Sequence, residues 1–193
     1  MIALINYNAG NITSVKNAIE RLGFSCMITD NADEIRSAAK VIFPGVGEAS
    51  SAMTYLKAKG LDQVISSLTQ PVLGICLGQQ LLCQFSEEGN TECLGIFPVQ
   101  VKKFPPLDIV PHMGWNTLQM NGRSPLLNGI QEDDDVYFVH SYYCEASNYS
   151  LTTCNYILPF SAAMQKDNFY ATQFHPEKSA GIGERILLNF LEL

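Results

Sequence analysis

Apolar positions in the first half of the chain fall into two alternating rhythms. Residues 2–6 form an apolar run of strand length, after which Ile12, Val15, Ile19 and Leu22 recur at helical spacing and Gly23 ends the helix. A second strand is predicted at Phe24–Thr29, and a short helix over 32–39 with Asn31 as its cap. Lys40–Phe43 reads as a third strand, closed by Pro44-Gly45-Val46-Gly47. A helical stretch covers 49–68 with a break at Gly60, then Val72–Ile75 reads as a fourth strand and 77–86 as a helix. Strands that alternate with helices imply βαβ units and a parallel sheet covered on both faces.

The second half changes character. Strand-like runs at 98–103, 136–139, 149–154, 160–165 and 169–174 are separated by short polar turns, and helical pattern returns only at Gly183–Leu193. These strands are expected to extend the parallel sheet with antiparallel members. The fold class expected is therefore α/β: an open, mostly parallel sheet with helices on both faces and added antiparallel strands in the second half. No repeat, low-complexity segment or linker interrupts the pattern, so residues 1–193 are read as one domain. The acidic run Glu132-Asp133-Asp134-Asp135 reads as a solvated turn.

Composition narrows the function classes. Nineteen acidic residues face 12 basic ones among 193, a formal net charge of −7, and no Lys/Arg cluster stands ready to neutralise a phosphate backbone, which argues against nucleic acid as partner. Hydrophobic residues at 47% exclude disorder. Charged residues make up only 16%, below the usual value of about 25%, a hint of surface covered by a partner. The opening Met1–Tyr7 lacks a basic region and a cleavage site and reads as a first strand, and no apolar stretch approaches the ~18 residues of a membrane span. The six cysteines include no C-x-x-C pair, so no metal or cofactor is expected, and a reduced cytosolic protein is.

The sharpest local signal is Gly74-Ile75-Cys76-Leu77-Gly78, placed where a buried strand gives way to a helix. Glycines two residues to either side of a nucleophile mark the nucleophile elbow, a strained turn that larger side chains would obstruct. A cysteine there sits at a helix N-terminus, whose partial positive charge favours thiolate. The alternative is a core cysteine between two helix-packing glycines; the other five cysteines lack the bracket and read as structural.

A cysteine nucleophile needs a base, and only three histidines are available: His112, His140 and His175. His175 opens His175-Pro176-Glu177, right after a strand-like run. The residue before proline is extended, and residues i and i+2 of extended chain share a face, so Glu177 can orient the His175 imidazole. That makes a Cys76–His175–Glu177 triad, weighed against an ordinary histidine at a strand end. Acyl chemistry also needs backbone N–H donors for an oxyanion. Leu77, after the nucleophile, is one candidate; the loop Gly45-Val46-Gly47 at a neighbouring strand end is another, unless it is a plain strand-to-helix turn.

Together the elbow with Gln80, the Pro44–Gly47 loop and His175-Pro176-Glu177 resemble the class I glutamine amidotransferase family, in order and over the whole chain. The resemblance implies a flavodoxin-like sheet. Tyr7-Asn8-Ala9-Gly10-Asn11 with Ser14-Val15, and Pro111-His112-Met113-Gly114-Trp115-Asn116, are similar to stretches of one branch, the glutaminase subunits of imidazole glycerol phosphate synthases. His140-Ser141-Tyr142-Tyr143 and Lys178-Ser179 match as well, while Asn8, where glycine is usual, and Asn6, where Asp is common, depart. The resemblance implies that Cys76 attacks the glutamine side-chain amide, that His175 protonates the departing ammonia, and that water releases glutamate from a thioester. Val46 and Gly47 join Leu77 at the oxyanion; Gly45, Gln80, His140, Ser141 and Tyr142 hold glutamine. It further implies a heterodimer: ammonia passes to a (β/α)8-barrel cyclase subunit that forms imidazole glycerol phosphate and AICAR in histidine biosynthesis. His112, Met113, Trp115, Asn116 and Lys178 would then lie toward that partner. The alternative for Trp115 is a core tryptophan, but its flanks Gly114 and Asn116 are atypical of a core strand and favour the interface; His112 could equally be an ordinary surface histidine. Competing readings are a related glutaminase feeding an amidino-sugar or pyridoxal phosphate synthase, an inactive regulatory module of the same fold, and a cysteine peptidase built on the same elbow.

Overall fold

The computed structural model describes residues 1–7 and 10–193; Asn8 and Ala9 of the Tyr7–Asn11 stretch lie outside them. The first half is β1 (Ile2–Ile5), α1 (Ile12–Arg21), β2 (Cys26–Thr29), α2 (Ala32–Ser37), β3 (Lys40–Phe43), α3 (Ala49–Lys59), α4 (Leu61–Ser66), β4 (Val72–Ile75) and α5 (Leu77–Leu82). There follow β5 (Cys83–Ser86), β6 (Thr91–Glu92), β7 (Phe97–Lys103), β8 (His112–Thr117), β9 (Gln119–Met120), β10 (Asp135–His140) and β11 (Tyr142–Cys144). The chain ends in β12 (Ser150–Tyr156), β13 (Leu158–Lys166), β14 (Phe169–Thr172), a 3-10 turn at Pro176–Lys178 and α6 (Ala180–Leu191).

Local chemistry accounts for the boundaries of the first half. Asn31 accepts the backbone N–H groups of Asp33 and Glu34, capping α2 as its side chain predicts. Gly60 separates α3 from α4 at φ 67°, a left-handed conformation that favours glycine. The helix expected over 77–86 is shorter: it stops at Leu82, and Cys83–Ser86 extends to pair with β7. Tertiary pairing overrides helical pattern there.

Among the described residues, eight strands form the main sheet in the order β2-β1-β3-β4-β14-β13-β12-β9. The pairs from β2 through β14 are parallel, and those beyond β14 are antiparallel. The first five strands follow the flavodoxin-like order with β14 as the fifth. The antiparallel extension is where the second-half pattern places it. Two smaller sheets, β10-β8 and β11-β7-β5-β6, stand beside the main one.

Alternate residues of the central strands feed two cores. Leu4, Ile42 and Leu73 pack with Val15 and Ile19 of α1 and Ile186, Leu187 and Phe190 of α6. Ala3, Ile5, Val41, Phe43 and Val72 pack with Ile35, Leu56, Ile65 and Leu81 of α2 to α5 on the opposite face. The acidic run is exposed apart from half-buried Asp134, and leads into β10. No helix of the described residues is long and apolar enough to cross a membrane.

Candidate active site

β4 and β14 are parallel neighbours, so their C-terminal ends open on the same edge, where ligands of open α/β sheets bind. Cys76 follows β4 directly. Its backbone is strained at φ 53° and ψ −106°, and it stands at the N-terminus of α5. Both bracketing glycines are required by contact. A Cβ on Gly78 would lie 1.8 Å from the Phe43 carbonyl oxygen, and one on Gly74 would lie 2.9 Å from the Gly78 backbone. Elbow geometry, rather than flexibility, explains them.

His175 follows β14 in extended backbone, φ −97° and ψ 98°. Its main chain is pinned to β10: the His175 N–H donates to the Tyr137 carbonyl at 2.9 Å, and Ser179 Oγ donates to the His175 carbonyl at 2.7 Å. Nδ1 of the ring lies 2.7 Å from Glu177 Oε1. The pairing predicted from the His-Pro-Glu spacing is present, but Glu177 reaches the ring from the 3-10 turn rather than from extended chain. Nε2 is buried and has no hydrogen-bond partner among the described residues. Burial pulls the His175 pKa down, but neighbouring Cys76 and Glu177 outweigh it and hold the value at about 10. The ring is thus an imidazolium at neutral pH.

Sequence reasoning misses four contributors. Asn11 Nδ2 donates to Glu177 Oε1 at 2.5 Å, fixing the carboxylate from across the fold. Gln173, fully buried, donates from Nε2 to Cys76 Sγ at 3.6 Å. Glu88 and Pro111 line the cavity beside Cys76. Gln173 lies two residues before His175, so the same-face rule of extended chain points to it; Asn11 carries no local signal.

The cavity is about 270 Å³, lined among others by Val46, Gly47, Cys76, Leu77, Gln80, His140, Ser141 and Tyr142. Gly45 does not line it. Its carbonyl instead accepts the Leu77 N–H at 3.2 Å, so the donor expected at the oxyanion is already engaged. Gly47 sits at φ 142°, and the Val46 carbonyl accepts the Gly10 N–H at 3.3 Å.

His140 and His112 form a buried pair, Nε2 of the first 3.0 Å from Nδ1 of the second. His140 Nδ1 lies 2.8 Å from the Tyr142 carbonyl, which can only accept, so His140 carries its proton on Nδ1. His112 therefore donates from Nδ1 to His140, and its Nε2 accepts from Asn116 Nδ2 at 3.3 Å. Thr117 N–H donates to Asn116 Oδ1 at 2.8 Å, which sets the same direction from the other end. Burial lowers the His112 pKa to about 4 and the His140 pKa to about 3. Both rings are neutral at neutral pH.

His112, expected toward a partner or on an ordinary surface, is instead only 4% exposed, stacked on Tyr156 with ring centroids 4.0 Å apart. Alternation along β8 explains the correction: His112 points inward, while Met113 and Trp115 point outward, 63% and 53% exposed. Trp115 is thereby removed from the core. Asn116 is half-buried and Lys178 is exposed at the turn that carries Glu177.

Comparison with known proteins gives the family. A family model described as glutamine amidotransferase class-I matches residues 3–193. The chain is 57% identical over 195 residues to imidazole glycerol phosphate synthase subunit HisH of Bacteroides fragilis, covering 100% of this chain and 99% of that one. It is 50% identical to imidazole glycerol phosphate synthase subunit HisH 2 of Legionella pneumophila, covering 100% and 98%. In fold it is similar to a putative GMP synthase protein from Thermoplasma acidophilum, TM-score 0.77 at 18% identity, covering 100% of this chain and 92% of the other.

Proposed function

The chain belongs to the class-I glutamine amidotransferase family, and from that premise we propose that it is the glutaminase subunit of an imidazole glycerol phosphate synthase. Residues 1–193 form one such domain in this reading. The observation that carries it is the buried Cys76–His175–Glu177 cluster at the cavity that Gln80 lines, with Glu177 Oε1 2.7 Å from the imidazole.

Glutamine enters with its side-chain amide at Cys76. The Glu88 carboxylate in the cavity wall suits its α-ammonium group, and Gln80, Ser141 and Tyr142 offer polar groups for its remaining atoms. The thiolate attacks the amide carbon, an S–C bond forms and the carbonyl oxygen becomes an oxyanion. His175 gives its proton to the nitrogen as the C–N bond breaks, releasing ammonia. Water then attacks the glutamyl thioester, losing a proton to His175, and glutamate leaves as the S–C bond breaks. Glu177 keeps the proton-bearing ring aligned, and Asn11 keeps Glu177 aligned.

The oxyanion needs N–H donors from Leu77 and from Val46 or Gly47, yet the Leu77 N–H donates to Gly45. The loop must therefore rearrange for full activity, and we assign that rearrangement to binding of the (β/α)8-barrel cyclase subunit. Met113 and Trp115 are apolar and exposed beside Asn116, and with Lys178 they form the face we assign to the barrel. The transfer of free ammonia makes chemical sense, because ammonium in water has no lone pair with which to attack. Its destination would be the step giving imidazole glycerol phosphate and AICAR. A cytoplasmic location suits free thiols such as Cys83 and Cys144, which stand 3.4 Å apart without a bond.

The test is glutamine hydrolysis by the chain alone and by the chain with its barrel partner and the nucleotide ligand of that partner. Weak activity alone and strong stimulation by the pair is expected. Full activity in the isolated chain would contradict control by a partner, and stimulation only by a different synthase would redirect the ammonia.

A further inference from the structure

Gln173 has no place in the triad, yet it is fully buried and its side chain touches the nucleophile. Its Nε2 lies 3.6 Å from Cys76 Sγ, an ordinary length for an N–H donor to sulfur. Its Oε1 accepts from Gln80 Nε2 at 3.0 Å. The orientation of both amides follows from one fixed point. The Tyr142 carbonyl can only accept, so the Gln80 nitrogen faces it, at 2.9 Å. The second hydrogen of that same nitrogen meets Gln173, which must turn its oxygen toward Gln80 and its N–H group toward the sulfur. His140 holds the same carbonyl from the other side at 2.8 Å, so the anchor itself is clamped. The thiol form has a competing partner, the Val139 carbonyl 3.9 Å from Sγ, which suits S–H and repels S⁻.

We propose that Gln173 is a further catalytic residue, a neutral donor that stabilises the Cys76 thiolate and is aimed by the Gln80–Tyr142 contact. It rests on the reading of Cys76 as the nucleophile. The donor acts twice: it favours the thiolate before attack, and it favours the same thiolate as leaving group when water cleaves the thioester. His175 gives its proton to the departing ammonia and takes one back from the attacking water, and Gln173 transfers none.

A hydrogen bond to an ionised group of this kind shifts the thiol–thiolate balance by about tenfold. Thiolate nucleophilicity rises with basicity with a Brønsted slope of about 0.4–0.5, so the loss of the donor has a two-sided signature. In Gln173→Met, the pH profile of Cys76 alkylation by iodoacetamide, read on the Cys76 peptide by mass spectrometry, moves up by about one pH unit. Its high-pH plateau rises about threefold, so the two profiles cross. A merely structural change of access would scale the rate in one direction at every pH. An unmoved profile in a variant that keeps its circular dichroism overturns the proposal. Should Gln173→Met not fold, the wild-type chain decides: the Gln173 side-chain amide protons must shift in NMR as Cys76 ionises, and must lose that shift in Cys76→Ala. Absence of the shift is equally fatal. Alkylation needs no glutamine turnover, so these results stand apart from the function itself, which fails instead if Cys76→Ser still hydrolyses glutamine.

Discussion

Cys76 and Cys83 cap the two ends of one short helix, and both are buried, at 6% and 0% exposure. Their chemistry is opposite. Around Cys83, burial and the Cys144 thiol at 3.4 Å push its pKa well above the ordinary range, and its sulfur also meets the Gln79 carbonyl, an acceptor. Around Cys76 stand a buried imidazolium and a side-chain N–H donor. Removal from water makes a thiol inert; reactivity comes from donors and positive charge placed within reach. The glycines of the elbow serve the same end, since they let the chain turn sharply enough to bring the residues that follow β14 against the sulfur.

The largest break in this contrast is expected from Cys76→Ser, which should lower glutamine hydrolysis by at least about a thousandfold while the fold remains. A hydrolysis assay beside a circular dichroism spectrum checks both halves. Glu177→Gln comes next: the ring loses its anionic partner, and kcat should fall by about a hundredfold with little change in KM. A substrate titration separates the two constants. Gly78→Ala attacks the scaffold instead. Its methyl group cannot share space with the Phe43 carbonyl, and a loss of about 3 kcal/mol or failure to fold is expected in denaturant titration.

The histidines sharpen the contrast through pH. His112 and His140 protonate at about 4 and about 3 when folded, against 6.5 as the unperturbed value, so the unfolded chain binds more protons between those limits. Stability therefore falls as pH drops below about 6.5. His175 is raised to about 10, so the folded chain binds the extra proton, and that stabilisation is lost as pH rises from 6.5 through about 10. Thermal unfolding across pH should show both limbs, and His175→Asn should flatten only the alkaline one. The smallest effect on activity belongs to Cys83→Ala, with hydrolysis within about twofold of wild type and stability lower by about 1 kcal/mol.

Much of the fold and site is legible in the sequence because it is local. The elbow glycines, the strand-to-helix turn and the His-Pro-Glu spacing each carry their reason within a few residues. The parallel half of the sheet follows from hydrophobic rhythm, helped by the cap at Asn31 and the break at Gly60. What stays hidden depends on distant partners. β5 exists because β7 offers it a ladder, which no helical periodicity over 77–86 reveals. β8 alternates inward and outward, but Gly114 and the polar His112 and Asn116 blur the pattern. His112 looks like a surface residue until Asn116, His140 and Tyr156 satisfy its ring. Asn11 meets Glu177 from the opposite end of the chain, and only the three-dimensional fold could join them.

The insertion of β14 between β4 and β13 bears on biogenesis. The strand that leads into Gln173 and His175 is the last of the sheet to be synthesised, yet it occupies a middle position, beside the strand that leads to Cys76. A growing chain emerging from the ribosome thus exposes its thiol long before the imidazolium or the amide can reach it. A product truncated or stalled before Gln173 therefore carries a cysteine with neither donor nor imidazolium beside it.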